Sequence, residues 1–186
     1  MFNYIKFSIL SLIFFTFLLG IIYPGLIMLG GNLLAYKETH GSLLYKDQKV
    51  IGSSLIGQNF SSNQSLFQSR PSGSDYNTMA TGGSNLAPNS NKLVKELKQR
   101  IADLHKVNGN NKKIPEELVF ASGSGLDPNI SVKAALYQAP RISKENNIPI
   151  DSIIELIHTH EIQGFLNPNY VNVLKLNIAL LKLNEK

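Results

Sequence analysis

The sequence predicts an α+β protein, with one N-terminal transmembrane helix followed by a single soluble domain of mixed helices and short strands. Three observations point there. Residues 7–29, FSILSLIFFTFLLGIIYPGLIML, carry no charge. Four later stretches repeat their apolar residues at helical spacing. Between them lie short apolar runs bounded by Gly, Pro, Asn and Ser, which read as strands and turns.

Taken in order, residues 1–6 form a short tail and residues 7–35 an anchor helix. At about 1.5 Å per residue the uncharged run reaches ~34 Å, enough to cross a hydrocarbon core of ~30 Å. Pro24 either kinks this helix or ends a shorter span at Tyr23. A cleaved signal peptide is the competing reading. Its apolar region normally covers about 7–15 residues and leads to a small-x-small cleavage site. Here a longer run leads into GGNLLAYKE, which favours a permanent anchor. Gly20, Gly25, Gly30 and Gly31 either admit a partner helix or are merely tolerated in lipid. Lys6 flanks one end and Lys37 with Glu38 the other, so charge encodes orientation weakly.

Residues 36–186 read as the soluble domain. Two apolar runs flank Lys46-Asp47-Gln48-Lys49 and predict a hairpin, with another extended piece after it. Residues 61–91 are rich in Ser, Asn, Gly and Pro, which makes them either a flexible linker or a functional surface loop. A helix is expected from Ser90 to Val107 and a strand from Leu118 to Ser122. The next helix has Ser131 as its N-cap and is ended or kinked by Pro140. Another spans Asp151 to Thr159, with Ile153, Ile154 and Ile157 on one side. The last runs from Tyr170 to Leu183, capped by Asn169.

Composition narrows the chemistry. The chain has no cysteine, which excludes disulfides, thiolate zinc sites and cysteine nucleophiles. Its net charge is +5, yet the basic run 92–113 interleaves Glu96 and Asp103 with Leu93, Leu97, Ile101 and Leu104. That is an amphipathic helix with a solvated basic face, so no nucleic-acid partner is expected.

The stretch VFASGSGLDPNIS, residues 119–131, is the most site-like. It lacks the lysine-bearing phosphate loop and the third glycine of a dinucleotide fingerprint. It reads as a shaped turn: glycine supplies positive φ, Asp127 bonds the backbone and Pro128 sets the bend. An anion at the helix N-terminus after Ser131 is the minority reading. Ser124 has Ser122 where a nucleophile elbow needs glycine. His158 and His160 are two apart and point to different faces of a helix, so no metal site is expected. The loops RPSGSDY and TGGSNLAPN, with Arg70, Ser72, Asp75, Tyr76, Ser84 and Asn85, fit either a ligand site or hydrogen-bonded turns.

Six segments, in order, carry a resemblance. They are GSSLIGQNF (Gly52–Phe60), FQSRPS (Phe67–Ser72), GGSNLAPN (Gly82–Asn89), ASGSGLDPNIS (Ala121–Ser131), AALYQAPRIS (Ala134–Ser143) and NPNYVNVLKLNIAL (Asn167–Leu180). Together the chain resembles the C-subunit family of the bacterial Kdp potassium-transporting ATPase. Ala87, Phe120 and Gly123 are small departures.

The resemblance implies a non-catalytic accessory subunit of an ATP-driven potassium importer. Its partners would be a channel-like potassium-translocating subunit, a P-type ATPase subunit and membrane lipid. The absence of a D-K-T-G-T phosphorylation sequence fits that role. The family is described as a catalytic chaperone that raises the ATP affinity of the ATPase subunit. On this reading no cofactor is held tightly, and ATP enters only through a ternary complex with the ATPase subunit. Gln138 is the implied nucleotide contact. A docking or structural motif is implied at Arg70, Pro71 and Ser72, and at Gly82, Gly83, Ser84 and Asn85. It continues at Gly125, Leu126, Asp127 and Pro128, and at Arg141 and Asn172. The implied location is the inner membrane, single-pass, with the N-terminus cytoplasmic and the soluble domain outside. ATP binds inside, so coupling would then pass through the membrane helix. Electrostatic attraction of potassium is not expected, since the chain beyond Lys6 carries +4. A membrane-anchored extracytoplasmic enzyme or ligand-binding protein is the alternative.

Overall fold

The computed structural model describes residues 2–46, 48–109 and 112–184. These divide into two compact units, one ending at Ser53 and the other beginning at Ser54. The architecture is α+β, with one long apolar helix ahead of a mixed region holding small antiparallel sheets.

In the first unit a continuous helix runs from Phe2 to Leu34 and buries none of its apolar side chains. It comprises α1 (Phe2–Phe17), a π-helical turn (Leu18–Ile22) and α2 (Tyr23–Leu34). At about 1.5 Å per residue it spans ~50 Å, longer than a bilayer core needs. Pro24 does not end it. A proline ring collides with the carbonyl four residues earlier, and the widened π turn lies directly before that position. One further turn, α3 (Tyr36–Thr39), stacks Tyr36 on His40 with ring centroids 4.0 Å apart. The expected hairpin follows as β1 (Leu43–Lys46) and β2 (Lys49–Ser53), antiparallel, with a register shift between Leu44 and Tyr45. Asp47, part of its turn, lies outside the described residues.

The second unit is built around α5 (Val132–Asn146), which packs on α4 (Asn91–Asn108), α6 (Ile150–Thr159) and the two-stranded sheet β3 (Asn129–Ser131) and β4 (Tyr170–Asn172). The helix α7 (Val173–Asn184) closes on α6 and β4. The strands pair as Asn129–Asn172, Ile130–Val171 and Ser131–Tyr170. Ile130, Ala134, Ile142, Ile153, Ile157, Val171, Leu176 and Leu180 form one core, each no more than 1% exposed.

Ser131 caps α5 as expected, accepting from Ala134 N, and Ser90, expected only as the start of a helix, caps α4 by accepting from Leu93 N. Three expectations need correction. The stretch Leu118 to Ser122 is not a strand. A 3-10 turn at Glu116–Leu118 follows Pro115, and the amides of Leu118, Val119 and Phe120 return to Pro115 O and Glu116 O. Leu118 and Val119 are buried, so their side chains pack without a ladder. Of the two outcomes expected for Pro140, the end of the helix does not occur: α5 continues to Asn146, and the ring sits on the exposed side, where the lost amide bond costs least. The last helix begins at Val173, because Tyr170–Asn172 pairs as a strand and Asn172 Oδ1 accepts from Lys175 N. Asn169 is not the cap; it bonds Gly164 and Glu161. Finally, residues 54–60 form no strand after the hairpin.

Candidate functional site

The segment 54–90 contains no helix or strand, yet part of it threads through the core. Phe67 is fully buried, and its two backbone groups pair with one side chain. Phe67 N donates to Asn177 Oδ1 at 2.8 Å, and Asn177 Nδ2 donates to Phe67 O at 3.0 Å. The next residue repeats the device with another helix. Gln68 N donates to Gln138 Oε1 at 2.8 Å, and Gln138 Nε2 donates to Gln68 O at 3.2 Å. A primary amide presents one acceptor and one donor side by side, as a neighbouring strand does. Asn177 on α7 and Gln138 on α5 thus supply the strand pairing that this strap lacks.

Arg141, one turn beyond Gln138, completes the clamp. Its guanidinium donates to Leu66 O at 3.0 Å, Asn108 Oδ1 at 3.0 Å and Gln138 Oε1 at 2.8 Å, and also to Gln64 O. Burial pulls its pKa down to about 10, partly opposed by Glu145, so it stays charged at neutral pH. Asn146 Nδ2 adds a bond to Ser65 O at 2.8 Å.

A second cluster locks the glycine- and serine-rich loops together. Arg70 Nη1 donates to Asp127 Oδ2 at 2.9 Å, with both side chains about a quarter to a third exposed. Ser122 N donates to Pro71 O, Gly57 N to Leu126 O, and Val173 N to Pro128 O. Ser72 Oγ accepts from Tyr76 N at 2.8 Å and Tyr76 OH donates to Arg70 O at 2.6 Å. Burial pushes the Tyr76 hydroxyl pKa up to about 12. Gly125, at φ +72°, is held so closely that a Cβ there would lie 2.6 Å from Gly82 O. Gly83 lies against Gly123 O, and Ser84 N sits where a Cβ on Gly73 would stand. Asn85 adopts φ +51° beside them.

The residues implied by resemblance thus fall into three places. Arg70, Pro71, Ser72, Gly82–Asn85 and Gly125–Pro128 meet in the loop cluster. Gln138 and Arg141 grip the strap. Asn172 stands at the head of α7, where its Nδ2 donates to Ser54 O at 2.7 Å. Gln138 is 1% exposed, so a nucleotide reaches it only if the strap leaves. The N-terminus of α5 is served by the chain's own carboxylate: Glu117 Oε1 accepts from Ser131 N at 3.0 Å and from Ser131 Oγ. A polar depression of about 390 Å³ opens beside it, lined by Glu117, Asp127, Asn129, Asn167 and Tyr170. His158 and His160 have separate partners, Glu161 Oε2 and Leu156 O. Ser124 Oγ accepts from Leu126 N and serves the turn.

Comparison with known proteins decides the family. A model described as "K+-transporting ATPase, c chain" matches residues 5–182, through both units. The chain belongs to the KdpC family. Relatives agree along nearly their whole lengths. The potassium-transporting ATPase KdpC subunit of Methylococcus capsulatus is 42% identical over 97% of this chain and 98% of its own. That of Serratia proteamaculans is 43% identical, covering 96% and 97%. That of Shigella dysenteriae is 39% identical, covering 96% and 97%. In this KdpC-family chain, Asn177, Glu117 and Asn108 are structural anchors that the sequence reading missed. Asn177 left one signal: it is a polar residue on the apolar face formed by Val173, Leu176 and Leu180.

Proposed function

We propose that this chain is a non-catalytic accessory subunit of an ATP-driven potassium import complex. It sits beside a channel-like potassium-translocating subunit and a P-type ATPase subunit, and it raises the apparent ATP affinity of the latter. The observation that carries this reading is the family match over residues 5–182, which includes both the apolar helix and the folded unit. The fate of the polar motifs supports it. Serines, glycines and amides that resemble catalytic loops are engaged in holding the strap and the loop cluster.

The helix Phe2–Leu34 anchors the chain in the inner membrane as a single span, with the N-terminus cytoplasmic and residues 54–186 outside. ATP and this folded unit are then on opposite sides. The effect on ATP affinity is carried by the membrane helix, through contacts that differ between two states of the transporter. Gln138 acts on the strap and not on the nucleotide, in line with its burial.

The test compares ATP dependence of the reconstituted complex with and without this chain, and with Gln138→Ala. Omitting the chain should raise the apparent KM for ATP severalfold. Gln138→Ala should lower the yield of folded chain while complexes that do assemble keep the wild-type KM. An unchanged KM without the chain would overturn the chaperone role. A raised KM in fully assembled Gln138→Ala complex would restore direct nucleotide contact.

A further inference from the structure

We propose that the loop between α6 and β4 is a docking prong, whose tip residues Phe165 and Leu166 enter an apolar cleft on another protein subunit of the complex. The proposal deepens the subunit reading above and rests on it.

Phe165 is 96% exposed and Leu166 87% exposed. Elsewhere in the described residues of this unit, Leu55 and Met79 reach water as single large apolar side chains, which is ordinary, while the less exposed Phe120 and Ile101 line one depression. Here two adjacent ones stand at one tip. Burying large apolar side chains is favourable, and the fold leaves both unburied.

The tip is held out by a built loop. At its base Ile162 and Tyr170 exchange backbone hydrogen bonds of 2.8 and 3.1 Å. Asn169 spans the interior, accepting from Gly164 N and donating to Glu161 Oε1. The chain turns so tightly that a Cβ on Gly164 would lie 2.2 Å from Asn167 O. Tyr170 then leads into β4, where Val171 is fully buried, so the prong is rooted in the core.

Charge and shape select the partner. Residues 161–170 contain one carboxylate, Glu161, and no lysine or arginine. An anionic lipid surface is recognised by cations flanking apolar residues, and none is present in this loop. A narrow convex tip bearing an aromatic and a branched aliphatic side chain fits a protein cleft, where such anchors dominate binding energy.

The experiment uses the full-length chain co-expressed with the other subunits of the complex. A photo-crosslinking benzophenone amino acid in place of Leu166 should, on irradiation of membranes, join the chain to one of those subunits. Adducts confined to lipid or to a second copy of this chain, or no adduct, would overturn the prong. In parallel, Phe165→Ser combined with Leu166→Ser should lower recovery of the co-expressed subunits about tenfold or more, at equal expression and unchanged melting temperature. Equal recovery by variant and wild type would sink the prong alone. Failure of the wild-type chain itself to recover those subunits would sink the subunit reading as well.

Discussion

Asn177 and Gln138 show how two side chains substitute for a missing strand. Each is no more than 2% exposed and returns both a donor and an acceptor to one residue of the strap. Removing one amide leaves a buried N–H and a buried C=O without partners, at about 1–3 kcal/mol apiece. Asn177→Leu should therefore destabilise the full-length chain by about 3 kcal/mol in urea unfolding followed by circular dichroism. Asn177→Asp should cost at least as much near neutral pH, since a carboxylate cannot donate to Phe67 O. Lys175→Ala, on the exposed side of the same helix, should change little. None of these partners was legible in the sequence. The hydrogen bonds join residues 110 and 70 positions apart, and amide-to-backbone pairing leaves no local pattern.

Among the elements, what local chemistry encodes was legible and what tertiary packing imposes was not. The α4 helix, the Ser131 cap and the hairpin follow from spacing, capping residues and turns. The strand at Leu118 to Ser122 failed because Val119 and Phe120 suggested β structure, while Pro115 set a turn and burial did the rest. Between ending and continuing through Pro140 the sequence could not choose, because the exposure of the ring, which lets α5 continue, is a tertiary fact. Gly125 was legible as a positive-φ turn, but not the nearness of Gly82 O, which leaves no room for a Cβ. Two glycines separate those effects. Gly109→Ala meets open space at φ +60° and should cost only the left-handed penalty of about 1 kcal/mol. Gly125→Ala should cost more than about 2 kcal/mol, because backbone must shift as well. Equal losses for the two would contradict the interlocked loop cluster.

The loop of the prong has a pH dependence of its own. Hydrogen bonds from His158 and then Asn169 hold the Glu161 carboxyl below its ordinary value of 4.5. A folded-state pKa below the unfolded one adds stability that is complete above pH 4.5 and is lost as pH falls through the lowered value. The hydrogen-exchange protection factor of the Gly164 amide should accordingly drop in acid below that point. Glu161→Gln should flatten the profile, and a wild-type profile flat down to pH 2 would contradict the assignment.

At the scale of the molecule, the apolar span and the class of the folded region were readable from charge and periodicity. The partners were not, because no single motif encodes docking; only six dispersed segments in order pointed to the family. The structure explains that dispersion. Gly57, Arg70, Gly82, Gly125, Gln138 and Asn177 lie far apart in sequence, yet they serve two interlocking devices, the strap clamp and the loop cluster. Membership of this chain in a membrane-anchored transport complex, proposed above, is probed by purifying the tagged full-length chain in mild detergent from membranes that co-express the channel-like and ATPase subunits. All three should co-elute at constant ratio through size exclusion. A chain that elutes alone, from membranes in which both other subunits are present and intact, would contradict it.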